Sequence, residues 1–217
     1  LAAVDGLKGD AAWVALRVRY RRHLVQLAAW DLEHADPIAA VSIVAAALAD
    51  LSGAALDASL AVARRDVKFP AEEVAAIWLA IIGMGKAGAR ELNYVSDVDV
   101  IFVGEAGGLD GESTLADDRA VTIATQLAMQ TMRGIHDLAT EPGLWEVDAN
   151  LRPEGKDGAL VRTLESHVAY YERWAKSWEF QALLKARPLA GDLELGRQYV
   201  EAVSPKVWSS ASREIGR

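Results

Sequence analysis

Apolar residues recur at helical spacing over residues 11–34, with Val14, Val18, Val25 and Ala28 on one stripe, and Asp36-Pro37 closes the segment. The pattern predicts an amphipathic helix on which Arg17, Arg19, Arg21 and Arg22 form a solvated face. Residues 38–65 are alanine-rich and predict a helical pair broken near Ser52-Gly53, followed by a turn at Phe69-Pro70. A continuous apolar run then predicts a strand near residues 75–82, ahead of a glycine turn and a short helix. Residues 97–103 predict a second strand, with Val98, Val100 and Phe102 turned into a core. Residues 115–133 repeat apolar positions at Val121, Ala124, Leu127, Ala128 and Met132, which predicts a crossover helix.

Residues 144–152 alternate cleanly and predict a third strand. Trp145, Val147, Ala149 and Leu151 lie on one side; Glu146, Asp148, Asn150 and Arg152 lie on the other. The turn Glu154-Gly155-Lys156-Asp157-Gly158 leads into Ala159-Leu160-Val161, and from about residue 164 the chain reads as helical. Trp174 and Trp178 stand one helical turn apart and are expected in its core. The fold class that follows is α+β: a short mixed sheet flanked by N- and C-terminal helices. The expected units are a helical region at 1–70, a catalytic core at 71–163 and a C-terminal helical region at 164–217.

Chemistry concentrates in Ser96-Asp97-Val98-Asp99. Residues i and i+2 of a strand share a face, roughly 6.5–7 Å apart. Asp97 and Asp99 can therefore share hard divalent cations, while the glycine turn before them offers backbone N–H groups to a phosphate. If the third strand lies beside the second, Asp148 adds a third carboxylate, as two-metal phosphoryl or nucleotidyl transfer requires. Arg152, on the same polar face, would pair with a phosphate. Lys185 and Arg187, just before Pro188, offer either salt bridges or phosphate contacts.

Gly83-Met84-Gly85-Lys86-Ala87-Gly88 also satisfies the dinucleotide-binding fingerprint. Only residues 86–96 separate it from the next strand, too few for the helix of a parallel crossover. The fingerprint is therefore set aside.

Composition narrows the field. There is no cysteine, which excludes disulfides, thiol catalysis and cysteine-ligated zinc and fits a reducing cytoplasm. A net charge of −8 argues against a nucleic-acid surface. No apolar run approaches the ~20 residues that span a bilayer, so no membrane is expected. His23, His34, His136 and His167 show no metal-ligand spacing. The chain starts at Leu1, not methionine, and is expected to belong to a longer polypeptide.

The run from Gly83 through Asn93-Tyr94-Val95-Ser96-Asp97-Val98-Asp99 to Phe102 closely resembles the nucleotidyltransferase signature of the glutamine synthetase adenylyltransferase/adenylyl-removing family. So do Val147-Asp148-Ala149-Asn150-Leu151-Arg152-Pro153-Glu154-Gly155 and the stretch Trp178-Glu179-Phe180-Gln181 through Lys185-Ala186-Arg187-Pro188. The resemblance implies a DNA polymerase β-like fold and two homologous catalytic halves in one long polypeptide. One half transfers AMP from ATP to a tyrosine of glutamine synthetase; the other removes it by phosphorolysis, releasing ADP.

Carried across, Gly85, Lys86 and Ser96 would hold phosphate and nucleotide, and Asp97, Asp99 and Asp148 would be the catalytic ligands of two Mg²⁺ or Mn²⁺ ions. Charge adds Arg152, Lys185 and Arg187 as phosphate contacts. The chain departs from the family's usual Gly-Lys-Leu-Gly-Gly at Ala87 and Ala89, and from its Leu after the acids at Val100; the acids themselves are intact. The Met84 turn and the Tyr170-Tyr171 helix favour the N-terminal, adenylyl-removing half, with the adenylylating half as the alternative. A non-catalytic nucleotide-binding module is the further alternative, disfavoured by three intact acids. The implied partners are glutamine synthetase and, through the full-length enzyme, a PII-type signal protein.

Overall fold

Two long helices open the chain, α1 (Gly9–Glu33) and α2 (Pro37–Asp66). Between them the Asp36 carboxylate caps α2, accepting from the Ile38 and Ala39 N–H groups at 3.0 and 3.1 Å. The structure, a computed structural model, describes residues 1–107 and 115–214. Helix α3 (Ala71–Ala75) leads into β1 (Ile77–Gly83), then α4 (Gly85–Ala89), β2 (Val98–Ala106) and α5 (Asp117–His136). Two short strands, β3 (Val147–Asp148) and β4 (Val161–Arg162), precede α6 (Leu164–Arg173) and α7 (Ser177–Leu183). The chain closes with β5 (Arg187–Gly191) and α8 (Leu193–Glu214). The α+β class is the one expected.

Among the described residues the strands run in the order β3-β2-β1-β5, with β4 also on β2. β1 pairs antiparallel with both β2 and β5, whereas β3 and β4 run parallel to β2. Both faces are covered, which is why β1 reads as an unbroken apolar run. On one face Leu79, Ile81, Val98, Val100 and Phe102 join the core of α1, α2 and α5. On the other, Ala80, Ile82, Ile101 and Val103 pack with residues of α6, α7 and α8. The antiparallel β1–β2 pair also excludes the parallel unit that a dinucleotide fingerprint needs, so setting it aside stands.

Several expectations are corrected. Residues 38–65 are not a broken pair: α2 is one continuous helix through Ser52 and Gly53. Gly53 is there for proximity, because a Cβ would lie 2.7 Å from the Leu189 carbonyl oxygen of β5. That helix is also long and apolar enough to cross a membrane by length and composition, contrary to the expectation that no run is. Here its apolar positions pack against α1, α5 and β5.

The arginine cluster of α1 is not uniformly solvated. Arg17 is fully buried beside Ala12, Leu16 and Tyr20, while Val25 of the expected apolar stripe is 67% exposed. The third strand is two residues long, since the chain turns after Asp148. The region after residue 164 contains β5, hidden in the pattern by Pro188 and Gly191. Trp174 and Trp178 are exposed, at 73% and 48%, because α6 and α7 turn their Tyr171 and Leu183 faces inward instead. By sequence, Gly104 to Gly111, with Gly107-Gly108, also reads as a flexible loop over the site; of it, Gly104, Glu105 and Ala106 instead end β2, and the Gly107 N–H donates to the Ala76 carbonyl at 2.7 Å. The rest lies outside the described residues.

One buried ionisable group carries a prediction. His167 sits in the α6–α8 core, its Nδ1–H donating to the Thr163 carbonyl at 3.0 Å, and burial pulls its pKa down to about 4. The unfolded chain binds a proton below about 6.5, and the native chain cannot follow until about 4. Stability is therefore present at neutral pH and is lost as pH falls through that window. Urea unfolding at pH 5 is expected to show about 2 kcal/mol less stability from this source than at pH 7, a share absent in His167→Gln.

Candidate metal centre

Asp97 ends the loop before β2, Asp99 lies within β2 and Asp148 within β3, in the register that sets Asp99 opposite Asp148. One carboxylate oxygen from each lies within 4.8 Å of the others, the one such acidic group among the described residues. Asp148 is oriented by its own turn, accepting from the Asn150 N–H at 2.7 Å. The entry of β2 is tied to β3 by the Val98 N–H, which donates to the Glu146 carbonyl at 2.9 Å.

Burial pushes the Asp99 carboxyl above its usual range, the charges of Asp97 and Asp148 push it further, and Lys86 opposes them. Three carboxylates converging on one point, partly out of water, repel one another without a cation. Their oxygens form the donor set that hard divalent ions prefer, so the residues fit Mg²⁺ or Mn²⁺.

The glycine turn lies against the same acids. The Met84 N–H donates to the Asp99 carbonyl at 2.9 Å, locking the turn to β2. Gly85 has φ +49°, and a Cβ there would stand 2.8 Å from Asp99 Oδ2. Gly85→Ala must therefore strain its backbone and displace the carboxylate. It is expected to raise the Mg²⁺ concentration for half-maximal activity about ten-fold, one to two kcal/mol of strain being worth that factor. A metal titration of activity checks it.

Lys185 and Arg187 also reach this turn, but through its framework. Gly88 lets the backbone at Lys185 approach so closely that a Cβ would lie 1.9 Å from the Lys185 carbonyl oxygen. Arg187 donates to the Gly88 and Ala87 carbonyls, both at 3.0 Å, and Lys185 pairs with Glu91 at 2.6 Å. Lys86 Nζ donates to Asn93 Oδ1 at 3.1 Å, and Ser96 Oγ donates to Asp97 Oδ1 at 3.3 Å. Arg152 wraps its own loop, donating to the Ala149, Lys156 and Gly158 carbonyls at 2.8, 2.8 and 3.0 Å. The structure thus gathers Asp97, Asp99, Asp148 and Gly85 around one point, while Arg152, Lys185 and Arg187 are engaged with backbone carbonyls or a carboxylate.

Two features beside the acids escaped the sequence reading. A cavity of about 810 Å³ opens along Asp148, walled by α5 and residues 143–152. And the loop leading to β3 is held from α1: Arg17 donates to the carbonyls of Arg133, Gly134 and Glu141, and Arg21 to the Glu141 carboxylate and the Pro142 and Gly143 carbonyls. More than a hundred residues separate these partners, and no local pattern announces them.

Comparison with known proteins follows the same line. The family model of glutamate-ammonia ligase adenylyltransferase matches residues 1–202. The chain is 68% identical, over 99% of its length, to part of the bifunctional glutamine synthetase adenylyltransferase/adenylyl-removing enzyme of Leifsonia xyli subsp. xyli, of which it covers 22%. Proteins of the same description from Streptomyces avermitilis and Streptomyces coelicolor are 52% and 54% identical over 96% and 93% of the chain. The chain covers 20% and 19% of those proteins, and so spans about a fifth of the length of the relatives it matches.

Proposed function

The chain belongs to the glutamate-ammonia ligase adenylyltransferase family, and from that premise we propose that it is a nucleotidyltransferase unit that removes AMP from adenylylated glutamine synthetase by phosphorolysis. The observation that carries the reading is the convergence of Asp97, Asp99 and Asp148 beside the glycine turn. In the reaction an oxygen of inorganic phosphate attacks the phosphorus of the tyrosyl-AMP ester. The bond from phosphorus to the tyrosyl oxygen breaks, ADP forms, and the phenolate takes up a proton.

Asp97, Asp99 and Asp148 would hold two Mg²⁺ or Mn²⁺ ions, which when bound neutralise charge on the phosphoryl oxygens and lower the pKa of a bound nucleophile. The chain's own residues position. The glycine turn would offer N–H groups to a phosphate, Lys86 adds positive charge beside Asp99, and the Asn150 N–H keeps the Asp148 carboxylate aimed. Phosphate is already anionic at neutral pH, so no separate strong base is needed. The adenylylating reaction, in which a tyrosine hydroxyl attacks the α-phosphorus of ATP and pyrophosphate leaves, would use the same groups, with Asp148 drawing off the proton from a group of pKa near 10. The setting of either reaction would be the cytoplasm, with a PII-type signal protein acting through the remainder of the longer enzyme.

The test incubates the enzyme with adenylylated glutamine synthetase, phosphate and Mg²⁺. Phosphate-dependent ADP that disappears on chelation is the expected result. AMP transfer from ATP onto unmodified synthetase, with no ADP in the first assay, assigns the chain to the adenylylating reaction instead. Metal-dependent nucleotide binding with neither product leaves a regulatory module.

A further inference from the structure

We propose that the cavity beside Asp148 receives the tyrosine-bearing segment of the protein substrate, its phenol ring lying against Trp145 and the methionines of α5. The inference rests on the nucleotidyl-transfer reading above and names which side of that site meets which substrate. It comes from the order of parts across the sheet. The glycine turn follows β1, Asp99 lies on the central β2, Asp148 on the edge strand β3, and the cavity opens beyond β3.

Displacement at phosphorus is in line: the attacking and leaving oxygens take opposite apical positions, and the metals clamp both. A phosphate or pyrophosphate held by the glycine turn occupies one apical side. The opposite side is then the β3 side, where the acids end and the cavity begins. The ribose oxygen is equatorial in this arrangement, so the nucleoside leaves sideways. The group across from the turn is the tyrosyl oxygen, whichever direction the reaction runs.

The walls suit that occupant. Met129 and Met132 of α5, Trp145 and Leu160 line the cavity together with Arg133 and Asp148. Thioether and aromatic surfaces adapt to a protein side chain and its neighbours without demanding one hydrogen-bond pattern. A volume of about 810 Å³ exceeds what a phenol ring fills and leaves room for flanking residues of an extended segment. The lining also carries His136, Glu146 and Asn150, but its arginines are engaged, Arg133 with Asp137 at 2.7 Å and Arg152 with its loop carbonyls, and the carboxylates of Glu146 and Asp148 disfavour the phosphates of a free nucleotide here.

The experiment uses the full-length enzyme carrying Met129→Glu. Met129 is 44% exposed on α5, so a polar replacement leaves the fold standing. The KM for glutamine synthetase is expected to rise about ten-fold or more, as for a charge placed in an apolar contact, while the KM for phosphate and the Mg²⁺-dependent affinity for ATP stay within about two-fold. Met129→Leu is expected to restore the protein-substrate KM. A photo-crosslinking benzoylphenylalanine at position 129 is expected to capture a tyrosine-containing peptide of the synthetase. Weakened nucleotide affinity in Met129→Glu, or cross-linking to nucleotide, would assign the cavity to the nucleoside and overturn the proposal. An unchanged KM in an active enzyme overturns it alone, whereas a wild-type enzyme silent in both directions removes the nucleotidyl-transfer reading beneath it.

Discussion

Asp99→Asn is expected to reduce turnover by on the order of a thousand-fold or more, the scale at which removing one preorganised charge contact from a transition state is felt, while the fold is retained. Asp99 bonds the structure through its backbone: its carbonyl accepts from the Met84 N–H, and its β2 position pairs with Asp148 of β3. The amide is isosteric and keeps all of that. What it removes is one of three carboxylates that meet within 4.8 Å. Because burial and the charges of Asp97 and Asp148 already disfavour ionised Asp99, the substitution relieves repulsion in the metal-free protein. The melting temperature without metal is therefore expected to be unchanged or raised, and the increase that Mg²⁺ brings to the wild type is expected to vanish. Asp97→Asn should behave alike in turnover. Thermal melts with and without Mg²⁺, paired with the ADP assay, check both halves of the prediction, and activity within a few-fold of wild type would remove the two-metal chemistry.

Arg17→Met is expected to destabilise the protein by about 3 kcal/mol, a fall of about 10 °C in melting temperature for a chain of this size. The guanidinium is fully buried and donates to three carbonyls, Glu141 at 2.7 Å, Gly134 at 3.1 Å and Arg133 at 3.3 Å. The Arg133 and Gly134 carbonyls lie in the last turn of α5, where the Arg133 carbonyl also accepts from the Asp137 N–H at 3.0 Å, and the third lies in the loop that carries the chain to β3. Methionine fills the space of the stem and supplies no donor. Arg17→Lys recovers little, since a single ammonium cannot match a planar fork spread over three acceptors. The loss is expected to reach the three-carboxylate site as well, because β3 and Asp148 hang from that loop. A urea titration gives the stability term, and Mg²⁺ dependence of activity in the surviving folded fraction gives the second.

The three acids were legible because their signal is local. Asp97 and Asp99 are two residues apart, Gly85 stands twelve before Asp97, and Asp148 sits in a short stretch whose polar alternation marks it. The apolar runs of β1 and β2 were equally plain. Legibility failed where a residue's reason lies elsewhere in the chain. Gly53 looked like a helix break, but its missing Cβ makes room for the Leu189 carbonyl. Arg17 looked like surface charge, and its acceptors are more than a hundred residues away. β5 was hidden because Arg187-Pro188-Leu189-Ala190-Gly191 has no alternation of its own; it is a strand because β1 offers it an edge.

By itself, then, the sequence determined the α+β class, the core strands and the identity of the three acids, since these follow from side-chain chemistry at short separations. The tertiary structure alone decided that Asp148 comes within reach of Asp97 and Asp99, that α1 holds the loop before it, that Lys185 and Arg187 secure the glycine turn, and that a cavity opens on the far side of the acids. Those are matters of long-range backbone approach, fixed by which carbonyls, glycines and apolar faces meet once the sheet has formed, and no stretch of neighbouring residues encodes them.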